Sequence, residues 1–234
     1  MKRSFVLVVL LFLIGCSNIP ASTPLAQIPE DCTTPGEIIR GELSRESVGY
    51  TYSYRVYLPP CFSGESNLRY PVLYLIPGRG SGPEAWFASG LGKVIDQLIL
   101  DGEIPPFIIV TTENTDSDPM AEAIYNELIP AIESQYPIID NRRYHAVAGG
   151  SLGGVAAYRL AFQHPDAFSS AGIFGAGAIS GEEERITSWL SAMNEENRVR
   201  VFMDCGDKDI FMLDRAEEMK HLLDQAGVEN QLHV

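Results

Sequence analysis

Five short runs of this chain are continuously apolar: "YPVLYLIPG" from Tyr70, "PFIIVTTEN" from Pro106, "YHAVAGGS" from Tyr144, "AGIFGAG" from Ala171 and "VRVFMDCGD" from Val199. Runs of this length with no polar face are strands covered on both sides of a sheet. An earlier stretch, Tyr50 to Leu58, alternates instead, and predicts a strand at an antiparallel edge. Between the runs the period changes to that of a helix. Trp86 to Leu100 carries apolar residues at helical spacing, and Met120 to Glu133 places Ile124, Leu128 and Ile132 on one stripe with Pro130 as a kink. Leu152 to Phe162 is small and apolar, and Leu213 to Ala226 is amphipathic and stops at Gly227. "NQLHV" from Asn230 reads as the last strand. Buried strands alternating with helices predict an α/β fold, with a mostly parallel sheet covered on both faces and antiparallel edge strands at its N-terminal side. The segment "SGEEERITSWLSAMNEENR" from Ser180 interrupts the alternation, either as a small helical insertion over the site or as a solvated connection.

The first residues stand apart from this pattern. Lys2 and Arg3 precede an apolar run from Phe5 to Ile14, too short to span a bilayer. Leu13-Ile14-Gly15-Cys16 then resembles the lipobox of exported lipoproteins. We therefore expect a signal peptide over residues 1–15, a lipidated Cys16 that anchors the chain to a cell envelope, and a Pro/Ser/Thr-rich tether through residue 30. The catalytic or binding domain follows over residues 31–234. Without Lys2 and Arg3 the 17 basic residues become 15 against 31 acidic ones. Such a surface repels phosphate backbones, which excludes nucleic acid as the expected partner. Export permits disulfides. A Cys32–Cys61 bond would close a loop worth roughly 3–4 kcal/mol in the chain-entropy picture, although spacing alone leaves the pairing open. Cys205 ends an apolar strand and reads as a buried free thiol.

The candidate chemistry lies in Gly149-Gly150-Ser151-Leu152-Gly153, a G-x-S-x-G. A buried strand enters it and a helix of small residues leaves it, the context a nucleophile elbow requires. Ser151 would stand at the helix N-terminus, where unpaired N–H groups favour a developing oxyanion. No G-K-[ST] follows, so a phosphate-binding P-loop is excluded. The second oxyanion donor is expected from "LIPGRGSG" (from Leu75): the Arg79 N–H beside that of Leu152, with Gly78 next, since Pro77 has none. No H-E-x-x-H or comparable histidine cluster points to a metal.

Together with "YNELIPAIESQYPI", "NRRYHAVAGGSLGGVAAYRLAFQHPDAF" and "DCGDKD", these motifs resemble the esterase D, feruloyl esterase and enterochelin esterase branch of the α/β-hydrolases. The resemblance runs from about Tyr50 to the C-terminus. It implies a Ser–Asp–His triad that hydrolyses carboxylic esters, small or glycan-linked, without a cofactor. The chain departs from it in Pro77-Gly78, where the family has His-Gly.

Among Asp204, Asp207 and Asp209, all after a late strand, spacing barely distinguishes the triad acid. The family's C-G-x-x-D maps onto Cys205, Gly206 and Asp209, which selects Asp209. The base is harder to place. His145 lies six residues before Ser151 on a strand and His164 thirteen after it on a helix, each roughly 20 Å away. His164 would sit at a helix C-terminus, where a cation is welcome. His221 reads as a helix-surface residue. His233 is on the last strand, short of the loop where the family keeps its base. The expectation is an esterase with nucleophile, acid and oxyanion loop whose base is lost beyond residue 234, so that the chain is a C-terminally truncated, weak hydrolase. A non-catalytic surface binding protein on the same fold, and an acyltransferase to an alcohol acceptor, are the alternatives.

Overall fold

The computed structural model describes residues 25–45, 50–64, 68–114 and 121–234. The expected signal peptide, Cys16 and most of the tether lie outside them. Eight strands form one sheet in the order β1-β2-β4-β3-β5-β6-β7-β8. They are β1 (Glu37–Arg45), β2 (Tyr50–Leu58), β3 (Val72–Ile76), β4 (Ile108–Thr112), β5 (His145–Gly150), β6 (Ser170–Phe174), β7 (Arg200–Asp204) and β8 (Asn230–His233). β1 pairs antiparallel with β2 and β2 antiparallel with β4. All pairs from β4 through β8 are parallel.

The five continuous apolar runs occupy the interior of the sheet, as their lack of a polar face requires. Every residue of β3 and β4 is buried. β2 is not the edge strand: β1 covers it. In "EIIRGELSR" the half-buried Ile39, Gly41 and Leu43 alternate with exposed positions, and Ile38 is 44% exposed, as an edge strand allows.

Helices cover both faces. On one face lie α1 (Ala85–Ala88) and α2 (Leu91–Leu100), split from a single expected helix by Gly90, whose φ of 91° no helix accommodates. Leu91, Ile95, Leu98 and Ile99 pack there with Leu73, Leu75, Ala146 and Ala148. The other face carries α3 (Ile129–Gln135), α4 (Leu152–Gln163), α5 (Glu183–Ala192) and α6 (Ile210–Gln225). Ile124, Leu128 and Ile132 are buried on that face as the stripe predicts. Pro130 lacks the N–H for a helical bond, and the preceding turn, Ile124–Leu128, widens to a π-helix in which the Ile129 N–H donates to the Ile124 carbonyl.

The segment from Ser180 is neither a cover over the site nor a solvated connection. It contains α5, the crossover helix between β6 and β7, with Ile186 and Leu190 in the core. Glu182, just before α5, accepts from the Tyr158 hydroxyl at 2.9 Å and forms an ion pair with the buried Arg159 of α4. Cys32 and Cys61 form a disulfide, and Cys205 is a buried free thiol.

Candidate active site

β5 delivers the chain to Ser151 at the C-terminal edge of the sheet, and α4 carries it away. Ser151 adopts φ 54° and ψ −125°, a region that β-carbon sterics make costly for a serine. The turn is held from both sides. The Ser151 N–H donates to the Phe174 carbonyl on β6 at 2.8 Å, and the Ser151 carbonyl accepts from Gly154 at 2.9 Å. Glycine is obligatory around it. A Cβ on Gly149 would overlap the Gly153 carbonyl, and one on Gly153 would overlap the carbonyls of Ile76 and Pro77. This backbone-on-backbone contact lets the serine project from the sheet edge, and Ser151 is exposed.

The loop after β3 borders the serine. A Cβ built on Gly78 would lie 3.6 Å from both the Ser151 Cβ and the Gly150 carbonyl. Neither the Leu152 N–H at the start of α4 nor the Arg79 N–H has a hydrogen-bond acceptor among the described residues. Both expected oxyanion donors are therefore unengaged among the described residues, one in the Ser151 turn and one in the loop that borders it. The Trp86 ring lies 3.3 Å from where a Gly150 Cβ would be, and meets Phe174 edge-on at 6.3 Å between centroids. Two aromatic side chains thus lie against Gly150, the residue before Ser151. Neither was legible as a site residue, because both are distant in sequence and lie in ordinary apolar patterns. Asn114 was also missed. It is fully buried after β4 and donates from Nδ2 to the Pro77 carbonyl at 2.9 Å.

The acids lie at the end of β7 and just beyond it. Asp209 caps α6, its Oδ1 accepting from the Met212 N–H at 3.3 Å. That cap starts the helix at Ile210, three residues earlier than its apolar pattern indicates. Burial, reinforced by Asp209 and then Asp204, pushes the Cys205 thiol up. Asp204, rather than Asp209, holds a histidine: its Oδ2 is 3.1 Å from His233 Nδ1.

Each of the four histidines has a partner away from Ser151. His145 Nε2 contacts the Ile139 carbonyl at 2.7 Å, and burial lowers its pKa. His164 stacks on Tyr125 at 3.5 Å. It caps the C-terminus of α4, as the sequence suggested, and burial lowers its pKa as well. His221 contacts Gln225 on the exposed face of α6. His233 stands in register with Asp204, which pairs with Phe174, which pairs with Gly150. Three strand spacings, about 14 Å, separate its backbone from Gly150, and its ring turns to Asp204 between them. Among the described residues no group of His, Cys, Asp and Glu is arranged to hold a metal.

The family described as "Putative esterase" matches residues 46–233. A curated relative, the endo-1,4-beta-xylanase/feruloyl esterase of Xylanibacter ruminicola, is 30% identical over 182 residues. The match takes in 70% of this chain but only 24% of that protein, so the chain spans about a quarter of its relative's length. Among solved structures, a ferulic acid esterase superposes with a TM-score of 0.75 at 26% identity, covering 86% of this chain and 90% of the other. A serine-to-alanine variant of the feruloyl esterase module of Clostridium thermocellum, complexed with sinapinate, shares the fold with a TM-score of 0.72 at 20% identity, covering 95% of this chain and 86% of that one. The sheet order, the elbow and these matches agree: the chain belongs to the esterase family so described, with the α/β-hydrolase fold.

Proposed function

We propose that this chain is a serine esterase that cleaves carboxylic esters through an acyl-enzyme on Ser151. The observation that carries the reading is the elbow itself: a strained, exposed serine at a helix start, with the Leu152 amide of its turn and the Arg79 amide of the bordering loop unengaged among the described residues. Ser151 Oγ bonds to the ester carbonyl carbon, and the oxyanion is received by those two N–H groups. When the tetrahedral species collapses, the bond to the alcohol breaks, and the Oγ proton passes through a histidine base to the departing oxygen. Water then adds to the acyl-enzyme, its proton returns through the base, and the acid leaves. Asp209 orients that base, keeping Oδ1 on the α6 cap. None of His145, His164, His221 and His233 fills the role, so the reading places the base outside the 234 residues and makes the chain itself a slow catalyst.

The acyl group of the substrate is aromatic in this reading. The paired Trp86 and Phe174 rings and the feruloyl esterase relatives support it. The order of basic start, apolar run and Cys16 supports a lipid anchor that holds the enzyme at a cell envelope. Intact-mass spectrometry after incubation with 4-nitrophenyl ferulate tests the nucleophile. One feruloyl group should accumulate on the peptide containing Ser151 and be absent in Ser151→Ala, because deacylation without the base is slow. Acylation at another residue, or no acylation on prolonged exposure, would overturn the assignment.

A further inference from the structure

Asn114 makes three ties to the loop after β3. Its Nδ2 donates to the Pro77 carbonyl at 2.9 Å, its carbonyl accepts from the Gly80 N–H at 2.8 Å, and its N–H donates to the Ser81 carbonyl at 3.2 Å. These contacts bracket Arg79. Within the loop the Gly78 carbonyl accepts from the Ser81 N–H at 3.1 Å, and Gly80 has φ 71°. That is a β-turn with a left-handed glycine at its third position.

The described residues contain no cis peptide bonds. In a trans peptide the carbonyl and the following N–H point in opposite directions. The Gly78 carbonyl is turned into the loop, so the Arg79 N–H is turned out of it. The Pro77 carbonyl is drawn inward by Asn114, so the Gly78 N–H also points away. Rotation of the Pro77–Gly78 peptide is thus set by one side-chain amide, and the next peptide carries the oxyanion donor. Asn114 is 0% exposed, and its Oδ1 accepts no hydrogen bond among the described residues. A buried acceptor left unsatisfied is costly, and an apolar side chain of the same size would avoid that cost. Packing alone therefore does not explain an asparagine here; its donor does.

We propose that Asn114 is a positioning residue for the oxyanion hole, aiming the Arg79 amide by holding the Pro77 carbonyl. The inference rests on the Ser151 reading. Its test compares hydrolysis of 4-nitrophenyl acetate with that of the corresponding thionoacetate by the wild-type chain, Asn114→Leu and Asn114→Asp. A sulfur anion accepts N–H bonds poorly, so the oxygen-to-sulfur ratio of kcat/KM reports how well the donors are aimed. Both rates come from one sample, so the folded fraction cancels. Asn114→Leu keeps the branched outline, with larger terminal groups, and removes the donor; Asn114→Asp keeps the shape and removes the donor when its carboxyl is ionised. The ratio should fall about tenfold in both variants, with KM for the oxygen ester little changed. An unchanged ratio in both, with hydrolysis still dependent on Ser151, would overturn the proposal. If Ser151→Ala leaves hydrolysis untouched, the nucleophile reading fails instead. Amide exchange then decides for Asn114: faster exchange at Gly80 and Ser81 in Asn114→Leu supports the strut, and unchanged exchange contradicts it.

Discussion

Gly153 has no room for a side chain, because the carbonyls of Ile76 and Pro77 occupy the place of its Cβ. Backbone atoms cannot swing aside as a side-chain tip can, so the end of β3 must move. Gly153→Ala should therefore lower stability by roughly 1–3 kcal/mol, measured by urea denaturation. It should also reduce acylation of Ser151, since the same shift displaces the 77–81 loop. A fully stable Gly153→Ala chain would show that the elbow is looser than the packing implies. The elbow was legible in sequence because its glycines, its serine and its flanking strand and helix are contiguous. Asn114 was not, since its partner Pro77 is 37 residues away and only the parallel β3–β4 pairing brings the two strand ends together. The same limit hid the Asp204–His233 contact, which spans 29 residues and needs β7 and β8 side by side.

Among the elements, the strands buried on both faces were legible and the amphipathic ones less so. β3 through β7 contain few polar residues, and no other element explains such runs. β1 was missed because its alternation is broken by Gly41 and its exposed face is charged. The start of α6 was misplaced because Ile210 and Phe211 lie on its exposed side, 69% and 61% exposed, so the apolar pattern begins only with the next turn. α5 looked like an interruption because only Ile186 and Leu190 of its ten residues are buried. What ties it down is polar. Glu182 lies against Arg159, and the two side chains are only 15% and 8% exposed. Removing one partner of such a pair leaves the other's charge largely desolvated. Glu182→Ala should cost about 3 kcal/mol in urea unfolding, far more than an exposed ion pair. A loss below about 1 kcal/mol would mean that Ile186 and Leu190 hold α5 without it.

At the scale of the whole molecule, the Cys32–Cys61 disulfide fastens the segment before β1 to the end of β2. The parallel strands then present Ser151, the 77–81 loop and the carboxylates after β7 along one edge of the sheet. In the proposed reading the nucleophile, the oxyanion donors and an acid all lie on that edge, while each of the four histidines has its partner elsewhere. That arrangement makes a sharp kinetic statement. An elbow with oxyanion donors but no base should retain a small fraction of an esterase's rate, because electrostatic stabilisation survives the loss of a triad member. The most direct test is the turnover of 4-nitrophenyl acetate by the purified 234-residue chain, by Ser151→Ala and by His233→Ala, side by side. Slow release that disappears in Ser151→Ala and is unchanged in His233→Ala is the predicted result. Rapid turnover abolished by His233→Ala would make His233 the base and contradict the central claim.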